Sequence, residues 1–202
     1  RMSLIRSLGV DEFYIAPANG EFLSYSRTEF LDVLNNKYTV VGYVSGTDYR
    51  FGRNAEGDTA FLIEYAKGKG QIVYTVPDQV VSSEKVSTTL IKKSLINGDI
   101  KKANLLLGRN YSVTGEVKSG RKVGRDLGFP TINLDINPEV LKLRDGVYYG
   151  EVKLLGKSFK AIINYGARPT FNLGEKIIEA HILDFSGDLY GKTVCVEFLD
   201  YL

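Results

Sequence analysis

The periodicity of this chain changes once, near Leu107-Gly108-Arg109-Asn110, and that change limits the folds open to it. Before it, helical and extended patterns alternate. Residues 27–34 read as an amphipathic helix and 38–44 as a buried strand. Residues 59–66 are again helical, and 71–76 form a strand closed by Pro77. Ser87 or Thr88 is placed to cap a helix running to about residue 95. Asn97-Gly98-Asp99 breaks it, and a short helix follows to 107. This alternation predicts an α/β domain over 1–108, with a parallel sheet and helices on its faces. After the switch, 111–117, 147–154, 159–164, 177–183 and 193–199 read as short strands between glycine-rich turns. That pattern predicts an all-β antiparallel barrel over 109–202.

Composition narrows the function. The 202 residues suffice for one or two domains with a sizeable core. A net charge of +2 singles out neither nucleic acid nor a membrane surface as a partner, and no apolar stretch approaches membrane-spanning length. The single Cys195 excludes an intrachain disulfide and fits a reducing compartment, so a cytoplasmic protein is expected. Its strand-like surroundings make it a packed thiol rather than a nucleophile.

The chemistry concentrates in two segments. Gly128-Phe129-Pro130-Thr131-Ile132-Asn133 puts a hydroxyl and an amide two residues apart, on one side of an extended chain. Such oxygens suit a hard cation. Pro130 stiffens the segment. Glu179 sits in a second alternating run, among Ile177, Ile178, Ile182 and Leu183. Partial burial there would raise its pKa into a range useful for a general base. A cation site plus a carboxylate is a minimum for moving a phosphoryl group to a hydroxyl. On the residues alone, Thr131 and Asn133 read more readily as ordinary turn and strand residues closing a loop.

The loop from Lys118 to Gly128 carries three glycines and four cations, which suits phosphate or a plain basic turn. Gly187 to Thr193 imitates a P-loop, but it is one residue short and runs into a strand, so it reads as a turn. His181, the only histidine, cannot build a histidine metal cluster and reads as structural. In the first half, Gly46 to Arg53 follows a strand, where α/β sheets commonly hold ligands. Ser87-Thr88-Thr89 at a helix start suits either phosphate or simple capping.

Residues 110–202 resemble the riboflavin kinase domain of the bacterial bifunctional riboflavin kinase/FMN adenylyltransferases. The resemblance rests on GFPTIN (128–133), DGVYYGEV (145–152), INYGARPTF (163–171) and IEAHILDFSGDLYG (178–191). Residues 1–109 resemble the later part of the adenylyltransferase domain, through VSGTDYRFGRNAEGD (44–58), VSTTLIKKSLINGDI (86–100) and ANLLLGRNY (103–111).

The resemblance implies an incomplete Rossmann-like nucleotidyltransferase domain, then a six-stranded Greek-key-type riboflavin kinase barrel. It implies riboflavin, FMN and ATP as partners and Mg²⁺ as cofactor, with Thr131 and Asn133 holding the metal and Glu179 as the base. It also implies ATP contacts at Gly120, Arg121, Gly124, Arg125, Gly128 and Pro130, within a flap over the nucleotide. In the first domain it implies flavin contacts at Asp48, Tyr49 and Phe51 and phosphate contacts at Ser87 and Thr88. Arg168 is expected near the kinase site.

The chain departs from the family in three ways. Ile132 stands where alanine is usual, and in an extended segment it points away from the ligands. Nothing before Leu34 resembles the family's first phosphate-binding turn, and its last helix is not seen. A fragment of a longer enzyme is therefore expected. The competing reading is a barrel that binds flavin or nucleotide without chemistry.

Overall fold

The computed structural model describes residues 2–16, 19–118, 131–135, 143–167 and 176–202, with backbone alone for Ser3 and Asp135. The chain packs as two units, Arg1–Asp78 and Gln79–Leu202.

The first unit contains α1 (Met2–Ser7), α2 (Gly20–Ser24), α3 (Arg27–Lys37), β1 (Gly42–Gly46), β2 (Arg50–Phe51), β3 (Gly57–Asp58), α4 (Thr59–Gly68) and β4 (Ile72–Val76). A capping box starts α3: Ser26 accepts from the Glu29 amide, and Glu29 accepts from the Ser26 amide. Asp58 caps α4 by accepting from Phe61 N at 2.8 Å. β1 begins at Gly42 rather than at 38 because α3 runs on to Lys37 and Tyr38 is its C-cap.

β1 and β4 pair in parallel, as the alternation predicts. One face of this sheet, with Tyr43 and Val73, packs on the core of Leu31, Phe51 and Leu62. The other face carries Val44, Ile72 and Tyr74, which are 74%, 74% and 63% exposed. Parallel sheets are normally covered on both faces. The unit is thus a partial α/β layer.

The second unit opens with a short hairpin, β5 (Val80–Val81) and β6 (Glu84–Lys85), followed by α5 (Thr88–Asn97) and α6 (Ile100–Leu107). The Asn97-Gly98-Asp99 break holds: Gly98 adopts the left-handed conformation at φ 80°, and Asp99 caps α6. Six strands follow: β7 (Tyr111–Lys118), β8 (Thr131–Asp135), β9 (Gly146–Leu154), β10 (Lys157–Ala167), β11 (Lys176–Ile182) and β12 (Thr193–Tyr201). They close into an antiparallel barrel in the order β10-β11-β8-β7-β12-β9. The links from β8 to β9 and from β11 to β12 join strands that are not neighbours, a Greek-key-type path. Closure removes the open edges of the sheet. The residues after Gly187 form a turn that feeds β12, as expected.

Strict alternation fills the barrel. Val117, Leu134, Tyr148, Val152, Ile163, Ile178, Val194 and Phe198 point inward and are buried. Tyr148 meets Phe198 edge-on at 5.3 Å and Tyr201 at 5.1 Å. Burying a ring of this size contributes about 1.5–3 kcal/mol. At Gly150 a Cβ would lie 2.0 Å from the Glu197 carbonyl oxygen, so only glycine lets β9 and β12 approach this closely.

The helix pair belongs to the same core. Leu95, Ile100 and Ala103 join the buried barrel cluster. Asn104 donates to Phe198 O at 2.8 Å and accepts from Tyr111 N at 2.7 Å, tying α6 to both β12 and β7.

The turn between β9 and β10 contains a local conflict. Leu155 and Gly156 both have positive φ, 47° and 77°, as a two-residue hairpin of this kind requires. Leucine pays about 1–2 kcal/mol for that conformation, and Leu155 is 87% exposed, so packing returns little. Leu155→Asn is expected to stabilise the chain by about 1 kcal/mol. Urea denaturation checks this: the midpoint should rise with an unchanged slope.

Candidate active site

β8 positions the site. Leu134 is buried inside the barrel and Ile132 packs on the barrel core, so Thr131 and Asn133 face outward together. On the neighbouring β11, Ile178, Ala180 and Ile182 are buried, which turns Glu179 and His181 outward. The antiparallel register sets Glu179 opposite Asn133 and His181 opposite Thr131. Residues 48 positions apart are thereby joined: Thr131 Oγ1 donates to Glu179 Oε1 at 2.6 Å. Thr131, Asn133 and Glu179 are each half-buried. Among the described residues, the Asn133 carboxamide makes no hydrogen bond.

β7 lies on the other side of β8 and places Lys118 opposite Asn133. Its ammonium reaches Glu116 at 3.1 Å. Beside Thr131 opens a cavity of about 570 Å³, lined by Val117, Ile132, Ile182, Phe185, Leu189 and Tyr190 among others. Phe185 stands edge-on to Phe159 at 5.2 Å, which anchors the loop forming the cavity wall. A hollow lined by both apolar side chains and polar groups, among them Thr131, Ser186 and Asp188, suits a flat ring bearing a polar tail.

The donor set fits a hard cation. Among the described residues, no group of three His, Cys, Asp or Glu could hold a metal. A cation at this place would take the Thr131 hydroxyl and the Asn133 carbonyl oxygen, and it would need further oxygens from elsewhere. The Thr131 proton points to Glu179, which leaves the lone pairs of that oxygen available.

Gly120, Arg121, Gly124, Arg125, Gly128, Pro130 and Arg168 all lie outside the described residues. Of the candidate residues of the first domain, Asp48, Tyr49 and Phe51 lie in the first unit, and Ser87 and Thr88 lie in the second. Asp48 and Tyr49 follow β1. Tyr49 stacks on Phe51 at 5.4 Å with an interplanar angle of 19°. Phe51 is buried against Phe30 and Phe61, so it supports the Tyr49 ring from below. Burial raises the Tyr49 pKa, which keeps its ring neutral. Asp58 nearby is held below the usual carboxylate range, first by the Phe61 amide and then, against slight burial, by Arg50 at 3.1 Å.

In the second unit, Ser87 is the N-cap of α5 and accepts from Leu90 N at 3.2 Å; Thr88 is the first helical residue. Capping therefore occupies a Ser87 lone pair and leaves its proton free to donate. Sequence reasoning missed two features: the cross-strand bond from Thr131 to Glu179, and the 185–190 wall of the cavity. No local signal announces either, because both arise from pairing between distant strands.

Comparison with known proteins gives consistent answers over nearly the whole chain. The family described as Riboflavin kinase matches residues 107–202, and the one described as FAD synthetase matches residues 1–90. A bifunctional riboflavin kinase/FMN adenylyltransferase of Haemophilus influenzae is 34% identical over 191 residues, covering 94% of this chain and 62% of that protein. The protein of the same name from Listeria monocytogenes is 32% identical over 195 residues, covering 96% of this chain and 62% of its own length.

A crystal structure described as a macrolide-efflux protein from Streptococcus pneumoniae superposes with a TM-score of 0.88 at 30% identity, over 100% of this chain and 65% of that one. Among the described residues of the present chain, no helix is long and apolar enough to cross a membrane. The chain spans about three fifths of the length of the curated relatives it matches. With residues 107–202 matched by the riboflavin kinase family and residues 1–90 by FAD synthetase, the chain is similar over nearly its whole length to the bifunctional riboflavin kinase/FMN adenylyltransferases.

Proposed function

We propose that the barrel transfers the γ-phosphoryl group of ATP to the 5′-hydroxyl of riboflavin, giving FMN and ADP. The observation that carries this reading is the shared outward face of Thr131, Asn133 and Glu179 beside the 570 Å³ cavity. The cavity takes the nucleotide base, and its mouth at Thr131 directs the phosphates toward β8. Glu179 receives the hydroxyl proton as the new O–P bond forms and the bond to the ADP oxygen breaks. The Thr131 hydroxyl holds Glu179 Oε1, which orients Oε2 toward the acceptor. Mg²⁺ at Thr131 and Asn133 would neutralise phosphate charge. The proposed ATP contacts include Gly120, Arg121, Gly124, Arg125, Gly128 and Pro130, where glycines and cations suit phosphate.

The longer protein of which this chain would be part then adenylates FMN to FAD. Asp48 and the Tyr49 ring, backed by Phe51, contact the flavin there. The Ser87 and Thr88 hydroxyls donate to nucleotide phosphate. The functional boundary falls near residue 108, a placement supported by family matches that end at 90 and resume at 107. A lone, half-buried Cys195 supports a cytoplasmic setting.

The direct test incubates the protein with riboflavin and MgATP and separates the flavins by chromatography. FMN is the expected product. Bound riboflavin with no FMN would make the barrel a binding module. Glu179→Gln and Asn133→Ala should each cut turnover by roughly 10²–10⁴-fold. Neither should lower Tm by more than about 2–4 °C, the loss of a single hydrogen bond or less. Near-normal turnover in either variant counts against the assignment. Chelation with EDTA should stop FMN formation while riboflavin fluorescence still reports binding, and added Mg²⁺ should restore turnover.

A further inference from the structure

The barrel register arranges a row of outward side chains that runs across five strands. From β7 to β9 it reads Lys118, Asn133, Glu179, Asn164, Val147. Neighbouring members are one strand spacing apart, about 4.8 Å. Asn164 is directly opposite Glu179 on β10, flanked along its own strand by the inward, buried Ile163 and Tyr165. Its side chain is exposed, and among the described residues it makes no hydrogen bond. A solvated asparagine in mid-strand contributes little to a barrel, because asparagine is a poor strand former.

The direction of the row gives Asn164 a role. The cavity borders Val117, Thr131 and Ile132, so the donor phosphates enter from the β7–β8 side of Glu179. In phosphoryl transfer the attacking and leaving oxygens lie roughly in line across phosphorus. The hydroxyl that Glu179 deprotonates must then arrive from the opposite side, over β10 and β9. The first polar group on that side is the Asn164 carboxamide. Next to it stand exposed apolar side chains, Val147 across on β9 and Ile162 two residues away on β10 itself. A carboxamide offers two donors and an acceptor, which matches a chain of neighbouring hydroxyls; the apolar pair matches a less polar remainder.

We infer that Asn164 binds the polyhydroxylated chain of the phosphoryl acceptor and sets which of its hydroxyls reaches Glu179. This inference rests on the kinase reading above. Asn164 touches the acceptor and not the nucleotide, so its loss separates the two substrates.

The test measures steady-state kinetics of the full gene product with Asn164→Ala and Asn164→Ser, using riboflavin and a flavin analogue lacking one ribityl hydroxyl. Asn164→Ala should raise KM for riboflavin about five- to fiftyfold, the loss of one or two hydrogen bonds. KM for ATP should stay within about twofold. Asn164→Ser, which keeps one hydroxyl, should recover part of the loss. For the analogue that lacks the contacted hydroxyl, Asn164→Ala should have a much smaller effect, a non-additivity that a structural role does not produce.

An unchanged KM for riboflavin, or equal rises in both KM values with a lowered Tm, overturns the inference. Wild-type protein that forms no FMN would instead overturn the kinase reading itself, so the two failures are distinct.

Discussion

Everything at the candidate site depends on the register of a five-residue strand. β8 is held between β7 and β11, and Leu134 at 2% exposure is the anchor that locks it. A slip of one residue would turn Leu134 to water and put Thr131 and Asn133 into an apolar interior. The burial of one leucine thus fixes the direction of three polar side chains on two strands. The hydrogen bond from Thr131 to Glu179 is the visible result of that register.

The Thr131 hydroxyl serves both sides of the site. Its proton goes to Glu179 Oε1, which leaves its own lone pairs and the second carboxylate oxygen, Oε2, for other partners.

The sequence made some of this plain. Alternation with a period of two marks which residues of a strand share a face, so Thr131 with Asn133, and Glu179 with His181, were legible. The glycine break at 97–99 and the cap at Ser87 carry local chemistry that a sequence shows directly. Partnership between strands was not legible: nothing within residues 128–133 says that position 179 lies opposite position 133. β8 itself was not among the strands read from periodicity, although its residues 131–133 read as extended. Ile132 turns its side chain toward the core, away from the face shared by Thr131 and Asn133, and lines the neighbouring cavity. The helix pair at 88–107 was legible from its cap and its break, but not what its apolar face covers.

That last point bears on how the polypeptide can be divided. Periodicity and packing place the border differently, at about 108 and between Asp78 and Gln79. Leu95, Ile100 and Ala103 fill part of the barrel cluster, and Asn104 satisfies the Phe198 carbonyl and the Tyr111 amide together. A barrel expressed from residue 109 would lose those apolar contacts and leave both backbone groups without their partner. It would expose a greasy end where strands from neighbouring copies could stick. A barrel begun at Gln79 keeps its own stopper, so it is the smaller piece that can stand alone in solution.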